Sequence, residues 1–210
     1  GKCEGGVLMR CGLVGEKLGR SYSPEMHAFF GNDDYERFEG PPDQLGDFIR
    51  ARDFQGLNVT IPYKTTMLAI CDDLTEAAAA IGSVNTVVKQ LDGSLLGDNT
   101  DAAGFEGMVW KSRMRLLGRK CLVLGSGGAS LSVQYVLRKL GAGEIVVISR
   151  TGEDNYTNLD RHRDASILVN TTPVGMYPNT AASPVDLREF PQCEGALDLI
   201  YNPARTALPQ

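Results

Sequence analysis

The sequence predicts an α/β fold made of two consecutive units. Strand-like and helix-like stretches alternate along the whole chain, which is the pattern of that class. A hairpin signal at Asp92-Gly93 closes a first group of elements by about residue 102. A helical connector over 102–117 then leads into a second alternating group. The 210 residues suffice for one large domain or two small ones. With 42% hydrophobic and 22% charged residues, the composition is that of a globular protein.

In order, residues 7–14 read as a strand ended by Gly15. Ser23 and Pro24 open a helix, Ser23 as N-cap and Pro24 at the first helical position. Residues 35–39 form a short strand, and Pro41-Pro42 stop it and start a helix that runs to about Ala51. Residues 56–61 make a third strand, ended by Pro62. A helix follows through Cys71, and another covers 75–81, where four alanines run together. Two strands, 84–91 and 94–97, are joined by the tight Asp92-Gly93 turn. In the second unit, the apolar strand 120–124 runs into a glycine-rich turn and a helix over 128–140, followed by a strand over 144–149. That is a βαβ unit of roughly 30 residues. Residues 166–170 and 196–200 supply further strands.

A net charge of -5 argues against nucleic acid or an anionic membrane as the main partner, because both call for a basic face. No run reaches the ~18 apolar residues of a membrane span. Gly1-Lys2-Cys3-Glu4 lacks the apolar stretch of a signal peptide. The five cysteines are odd in number, scattered and free of any C-x-x-C pair, so the expectation is a reducing, cytoplasmic setting without disulfides or zinc. His27 and His162, the two histidines, have no metal-ligand spacing, and metal-free chemistry is expected.

The turn Gly125-Ser126-Gly127-Gly128-Ala129-Ser130 lies between an apolar strand and a helix. Glycines there allow backbone N–H groups to approach a pyrophosphate at a helix N-terminus, so Gly125, Gly127, Gly128 and Ala129 are candidate dinucleotide contacts. An ordinary strand–helix turn is the plain alternative. Ser130 replaces the third glycine of the G-x-G-x-x-G pattern, and its small side chain still permits close helix–strand packing. About twenty residues on, enzymes that use NAD place an acid for the ribose 2′-hydroxyl. This chain has Ser149, Arg150 and Thr151, which suit a 2′-phosphate and favour NADP, while nearby Glu153 keeps NAD as an alternative.

Lys64 and Asp101, near strand ends of the first unit, could pair over a pocket and move the proton of a secondary alcohol. Taken alone, either residue reads first as a solvated surface charge.

The motifs Ser21-Tyr22-Ser23-Pro24, Asn58-Val59-Thr60-Ile61-Pro62-Tyr63-Lys64, Gly82-Ser83-Val84-Asn85-Thr86 and Gly97-Asp98-Asn99-Thr100-Asp101 resemble the shikimate dehydrogenase family in order and spacing. The glycine turn continues the match, as do Asn170-Thr171-Thr172-Pro173-Val174-Gly175-Met176 and Asp198-Leu199-Ile200-Tyr201-Asn202-Pro203. The resemblance implies an N-terminal α/β substrate domain over 1–102 and a Rossmann-like NAD(P)-binding domain over 103–210. It implies reversible, NADP-dependent reduction of 3-dehydroshikimate to shikimate, within aromatic amino-acid precursor biosynthesis. It places Ser21 and Ser23 on the substrate carboxylate, and Thr60, Asn85 and Asp101 on the ring hydroxyls. Lys64 and Asp101 become the catalytic pair, Arg150 and Thr151 neighbours of the adenosine phosphate, and the Thr172 loop a neighbour of the nicotinamide. An arginine common in the family just after the glycine turn is Leu131 here. The family's segment beyond Asn202-Pro203, with a helix returning to the first domain, does not appear in this sequence. Exposed apolar surface is therefore expected, with lower stability or self-association. A monomer or homodimer is the expected assembly. The rival readings are an NAD-dependent quinate/shikimate dehydrogenase and a catalytically impaired ligand-binding form.

Overall fold

The computed structural model describes residues 10–19 and 21–208, which form two compact units divided between Thr100 and Asp101. The first unit holds β1 (Cys11–Gly15), α1 (Ser23–Phe29), β2 (Tyr35–Glu39), α2 (Pro42–Ala51), β3 (Gly56–Val59), β4 (Asp73–Leu74), α3 (Glu76–Ile81), β5 (Thr86–Lys89) and β6 (Leu95–Asp98). Its six strands form one mixed sheet in the order β2-β1-β3-β5-β6-β4. β1 runs parallel to both β2 and β3, while β5 is antiparallel to β3 and to β6. Apolar residues at alternate positions of these strands, such as Leu57, Val59, Val87 and Leu95, pack with Phe54 and Met67 into the core.

The second unit holds α4 (Asp101–Ser112), β7 (Lys120–Leu124), α5 (Gly128–Lys139), β8 (Glu144–Ile148), β9 (Ile167–Asn170) and β10 (Gly195–Asp198). All four strands are parallel, in the order β10-β9-β7-β8. β9 is buried at every position and β7 at four of five, as expected of interior strands in a parallel sheet. Trp110 on α4 is 71% exposed. With Arg113, Met114, Leu117 and Leu140 it lines an open cleft of about 840 Å³. That cleft adjoins the start of β7, at the opposite end of the strand from the glycine turn.

Three local expectations need correction. The helix expected from Pro62 through Cys71 is only a 3₁₀ turn over Thr66–Ala69, and the chain then enters β4, which pairs in parallel with β6. Tyr22, not Ser23, is the N-cap of α1, and no side chain caps it. β3 ends at Val59 rather than 61, although Thr60 N–H still bonds Val14 C=O at 2.9 Å. Residues 7–9 of the first expected strand lie outside the described residues. The Asp92-Gly93 hairpin is present: Gly93 has φ +85, and the Asp92 carboxylate accepts from both the backbone and the hydroxyl of Ser94.

Among the described residues, no helix is long and apolar enough to cross a membrane, and no group of three or more His, Cys, Asp or Glu could hold a metal ion.

Candidate active site

In the first unit, β1 is flanked by β2 on one side and β3 on the other, so the chain reverses its direction of winding above the C-terminal end of β1. Such a switch point leaves a crevice between the connecting segments. The loop after β1 leads to Ser21 and Ser23 at the start of α1. The Ser21 hydroxyl donates to the Ser23 hydroxyl at 3.0 Å, and Ser23 N–H donates to Ser21 Oγ at 3.2 Å. Ser23 is therefore held by Ser21 and does not serve as a helix cap. Tyr35 and Asn58 lie beside this group: the Tyr35 hydroxyl donates to Asn58 Oδ1 at 2.8 Å. Burial, the largest cause, pushes the Tyr35 phenol above its ordinary range, while nearby Ser23 pulls it down. His27 stacks on Tyr35 with ring centroids 3.8 Å apart, and its Nε2 lies 3.3 Å from Asn58 Oδ1.

Thr60 follows β3, and Asn85 precedes β5, its antiparallel neighbour, so both lie at the same end of the sheet. Val59 N–H donates to Asn85 C=O at 2.7 Å. The Asn85 side chain donates to Thr100 Oγ1 at 3.0 Å and accepts from Thr100 N–H at 2.9 Å. Asn99, 3% exposed, donates to Ser83 C=O at 2.8 Å. The Gly82–Thr86 and Gly97–Asp101 motifs are thus laced together, with Asp98 also accepting from Thr75 Oγ1 at 2.6 Å. Lys64, half-buried, is tied to the same motif through its carbonyl, which accepts from Val84 N–H at 2.8 Å. Asp101 opens α4 in the second unit.

In the second unit the winding reverses at β7, with β8 on one side and β9 on the other. The candidate residues Gly125, Ser149 and Thr172 follow the C-terminal ends of β7, β8 and β9. Gly125 has φ +107, and a Cβ there would lie 2.7 Å from Thr171 Oγ1 and 3.0 Å from Thr172 Cγ2. Only glycine fits. Gly127 is the N-cap of α5 and makes no side-chain cap, and a Cβ on it would meet nothing within 4 Å. Gly127 is exposed and Gly128 and Ala129 are half-buried, so the N-terminus of α5, the positive end of its dipole, is uncovered by side chains there, which suits a pyrophosphate. Leu131 is half-buried in the first turn of α5.

Arg150 and Thr151 are exposed, and Arg150 makes no ion pair among the described residues. The Thr172 loop is held by Asn170, which is fully buried: its Oδ1 accepts from the Thr172 N–H and hydroxyl, and its amide donates to Val174 C=O and Asp198.

Asn58, Tyr35, His27 and Thr100 had no assigned role in the sequence reading. One signal was available for Asn58. Strand period two puts it on the same face as Thr60, a polar residue within an apolar strand.

A profile of the shikimate dehydrogenase substrate binding domain matches residues 13–87. The NADP(+) shikimate dehydrogenase of Shouchella clausii is 39% identical over 226 residues, spanning 95% of this chain and 82% of that protein. The chain belongs to the shikimate dehydrogenase family. Two solved structures of the family agree in fold. The chorismate mutase/shikimate 5-dehydrogenase fusion protein of Clostridium acetobutylicum gives a TM-score of 0.84 at 35% identity, over 96% of this chain and 80% of that one. The shikimate 5-dehydrogenase of Thermus thermophilus, in complex with NADP(H) and shikimate, gives 0.79 at 36% identity, over 93% of this chain and 80% of that one. The family architecture, a substrate-binding α/β unit followed by a Rossmann-like unit, is the one described above.

Proposed function

We propose that the chain is an NADP-dependent shikimate dehydrogenase that catalyses the reversible reduction of 3-dehydroshikimate to shikimate. The observation that carries this reading is the lacing of Asn85, Thr100 and the Lys64 backbone into one strand-end cluster, in a chain 39% identical to an NADP(+) shikimate dehydrogenase. Residues 1–102 take the substrate-binding and catalytic role, and residues 103–210 the dinucleotide-binding role.

In this reading the Ser21 and Ser23 hydroxyls donate to the substrate carboxylate. Thr60, Asn85 and Asp101 bond the ring hydroxyls. The Lys64 ammonium faces the ketone oxygen, stabilises the negative charge that develops there, and passes it a proton. In the reverse direction the amine takes that proton from the alcohol. Asp101 orients Lys64. Gly125, Gly127, Gly128 and Ala129 receive the pyrophosphate, Ser149, Arg150 and Thr151 the adenosine 2′-phosphate, and Thr172 lies by the nicotinamide. NADPH, when bound, supplies the hydride.

A second reading, use of NAD, is favoured by exposed Glu153, three residues from Arg150. A cytoplasmic location fits four described cysteines that are all free. A monomer or homodimer is the proposed assembly; Phe29 and Phe30, 85% and 79% exposed, favour association.

The test is nicotinamide absorbance on mixing the chain with shikimate and NADP. Lys64→Ala should lower the rate by about 10²–10⁴. A wild-type chain that neither reduces NADP nor binds shikimate would overturn the reading.

A further inference from the structure

We infer that His162 is a positioning residue for cofactor choice: it draws the Asp154 carboxylate away from the Ser149-Arg150-Thr151 segment and so favours NADP over NAD. The inference rests on the reading of that segment as the seat of the adenosine 2′ group.

The segment is a closed loop. Ser149 N–H at the end of β8 donates to Asp154 C=O at 3.2 Å. The Asn155 amide donates to the carbonyls of Gly152 and Glu153, at 3.1 and 3.3 Å, and the Asn158 amide to Glu153 C=O at 2.9 Å. Asp154 is the pivot. Its backbone closes the loop, and its Oδ1 lies 2.8 Å from His162 Nε2. His162 ends the 3₁₀ turn Leu159–His162 and is 8% exposed. A carboxylate can only accept, so Nε2 carries the proton and donates. Nδ1 is buried with no hydrogen-bond partner. The bond to Asp154 is therefore the one hydrogen bond that this buried ring makes through its nitrogens.

Charge explains why this matters. Arg150 is exposed and makes no ion pair among the described residues, whereas Glu153 and Asp154 are acids within four residues of it. An acid at this strand end binds a ribose 2′-hydroxyl and repels a 2′-phosphate. With Asp154 bonded to His162, one of the two acids that follow Arg150 in the chain is already engaged. Loss of the imidazole would free the Asp154 carboxylate to do for NAD what an acid does in NAD enzymes.

The experiment measures dissociation constants for NADP, NAD and shikimate by titration calorimetry, on the full chain as wild type, H162A and the double variant H162A/D154N. H162A should lower the ratio of NADP to NAD affinity by about tenfold, the scale of one unit charge acting over several ångströms near a protein surface. The double variant should recover the ratio, and shikimate affinity should stay constant throughout. An unchanged ratio in H162A overturns the inference, as does an equal fall in both variants, which marks simple loss of loop structure. A wild-type chain that binds neither dinucleotide overturns the reading of the segment and this inference with it. Tight NADP binding with an unmoved ratio overturns this inference alone.

Discussion

The two strand-end clusters are built by opposite means. In the first unit the edge formed by Asn85, Asn99 and Thr100 is made of side chains that bond each other and nearby backbone. In the second, the turn at Gly125 and Gly127 is made by leaving side chains out. A small ring carrying a carboxylate and several hydroxyls needs directional donors and acceptors, which side chains supply. A pyrophosphate needs several N–H groups at close range, which bare backbone supplies best. The first cluster should thus be harmed by deleting atoms and the second by adding them.

The largest separation of the two should come from Gly125→Val. Holding a branched residue at φ +107 costs on the order of 1–3 kcal/mol, before the contact with Thr171 is relieved. NADP affinity should fall about tenfold or more with shikimate affinity unchanged, and calorimetry with both ligands checks it. Equal losses for both would erase the distinction. Asn85→Ala is the converse. It removes the hydrogen bonds between Asn85, which is 8% exposed, and Thr100, a cost of about 0.5–1.5 kcal/mol for each in urea unfolding. It should weaken shikimate and spare NADP.

A smaller effect is expected of Thr75→Ala, which removes the cap on Ala78 N–H at the start of α3 and the hydroxyl donated to Asp98. About 1 kcal/mol should be lost in the same assay through the cap, with NADP affinity unaffected and shikimate affinity moved less than in Asn85→Ala. The smallest concerns alkaline pH. Burial, the main cause in both, pushes the Cys71 and Cys121 thiols up to about 11. A raised folded value means the thiols ionise more readily once unfolded, so this contribution is whole below about pH 8.5 and is lost as pH rises through 11. Urea midpoints should decline over that window. In native protein at pH 8, Cys121 should resist alkylation, and rapid labelling would contradict its burial.

Most elements were legible because their signals are local. The four alanines before Gly82 make a helix that ends in a left-handed glycine, and the run 120–124 makes a strand between charge and glycine. The helix expected after Pro62 was not, because β4 exists through pairing with β6, more than twenty residues on. The Ser23 cap failed because the Ser23 hydroxyl and N–H are both engaged by Ser21, two residues back. The polar roles of Asn58 and Tyr35 depend on the β2-β1-β3 order, which a strand's own residues do not encode. Gly125 was legible because its backbone requirement is written directly as a missing side chain.

Trp110 is the sole tryptophan of the chain, and it stands on α4 with most of its indole in water. Seven tyrosines are spread along the sequence, whereas indole emission originates in the second unit alone. Excitation at the red edge of the protein band therefore gives an optical readout confined to the second unit. With Trp110 71% exposed, native emission should lie near that of free indole, so melting of that unit should change quenching and anisotropy more than colour.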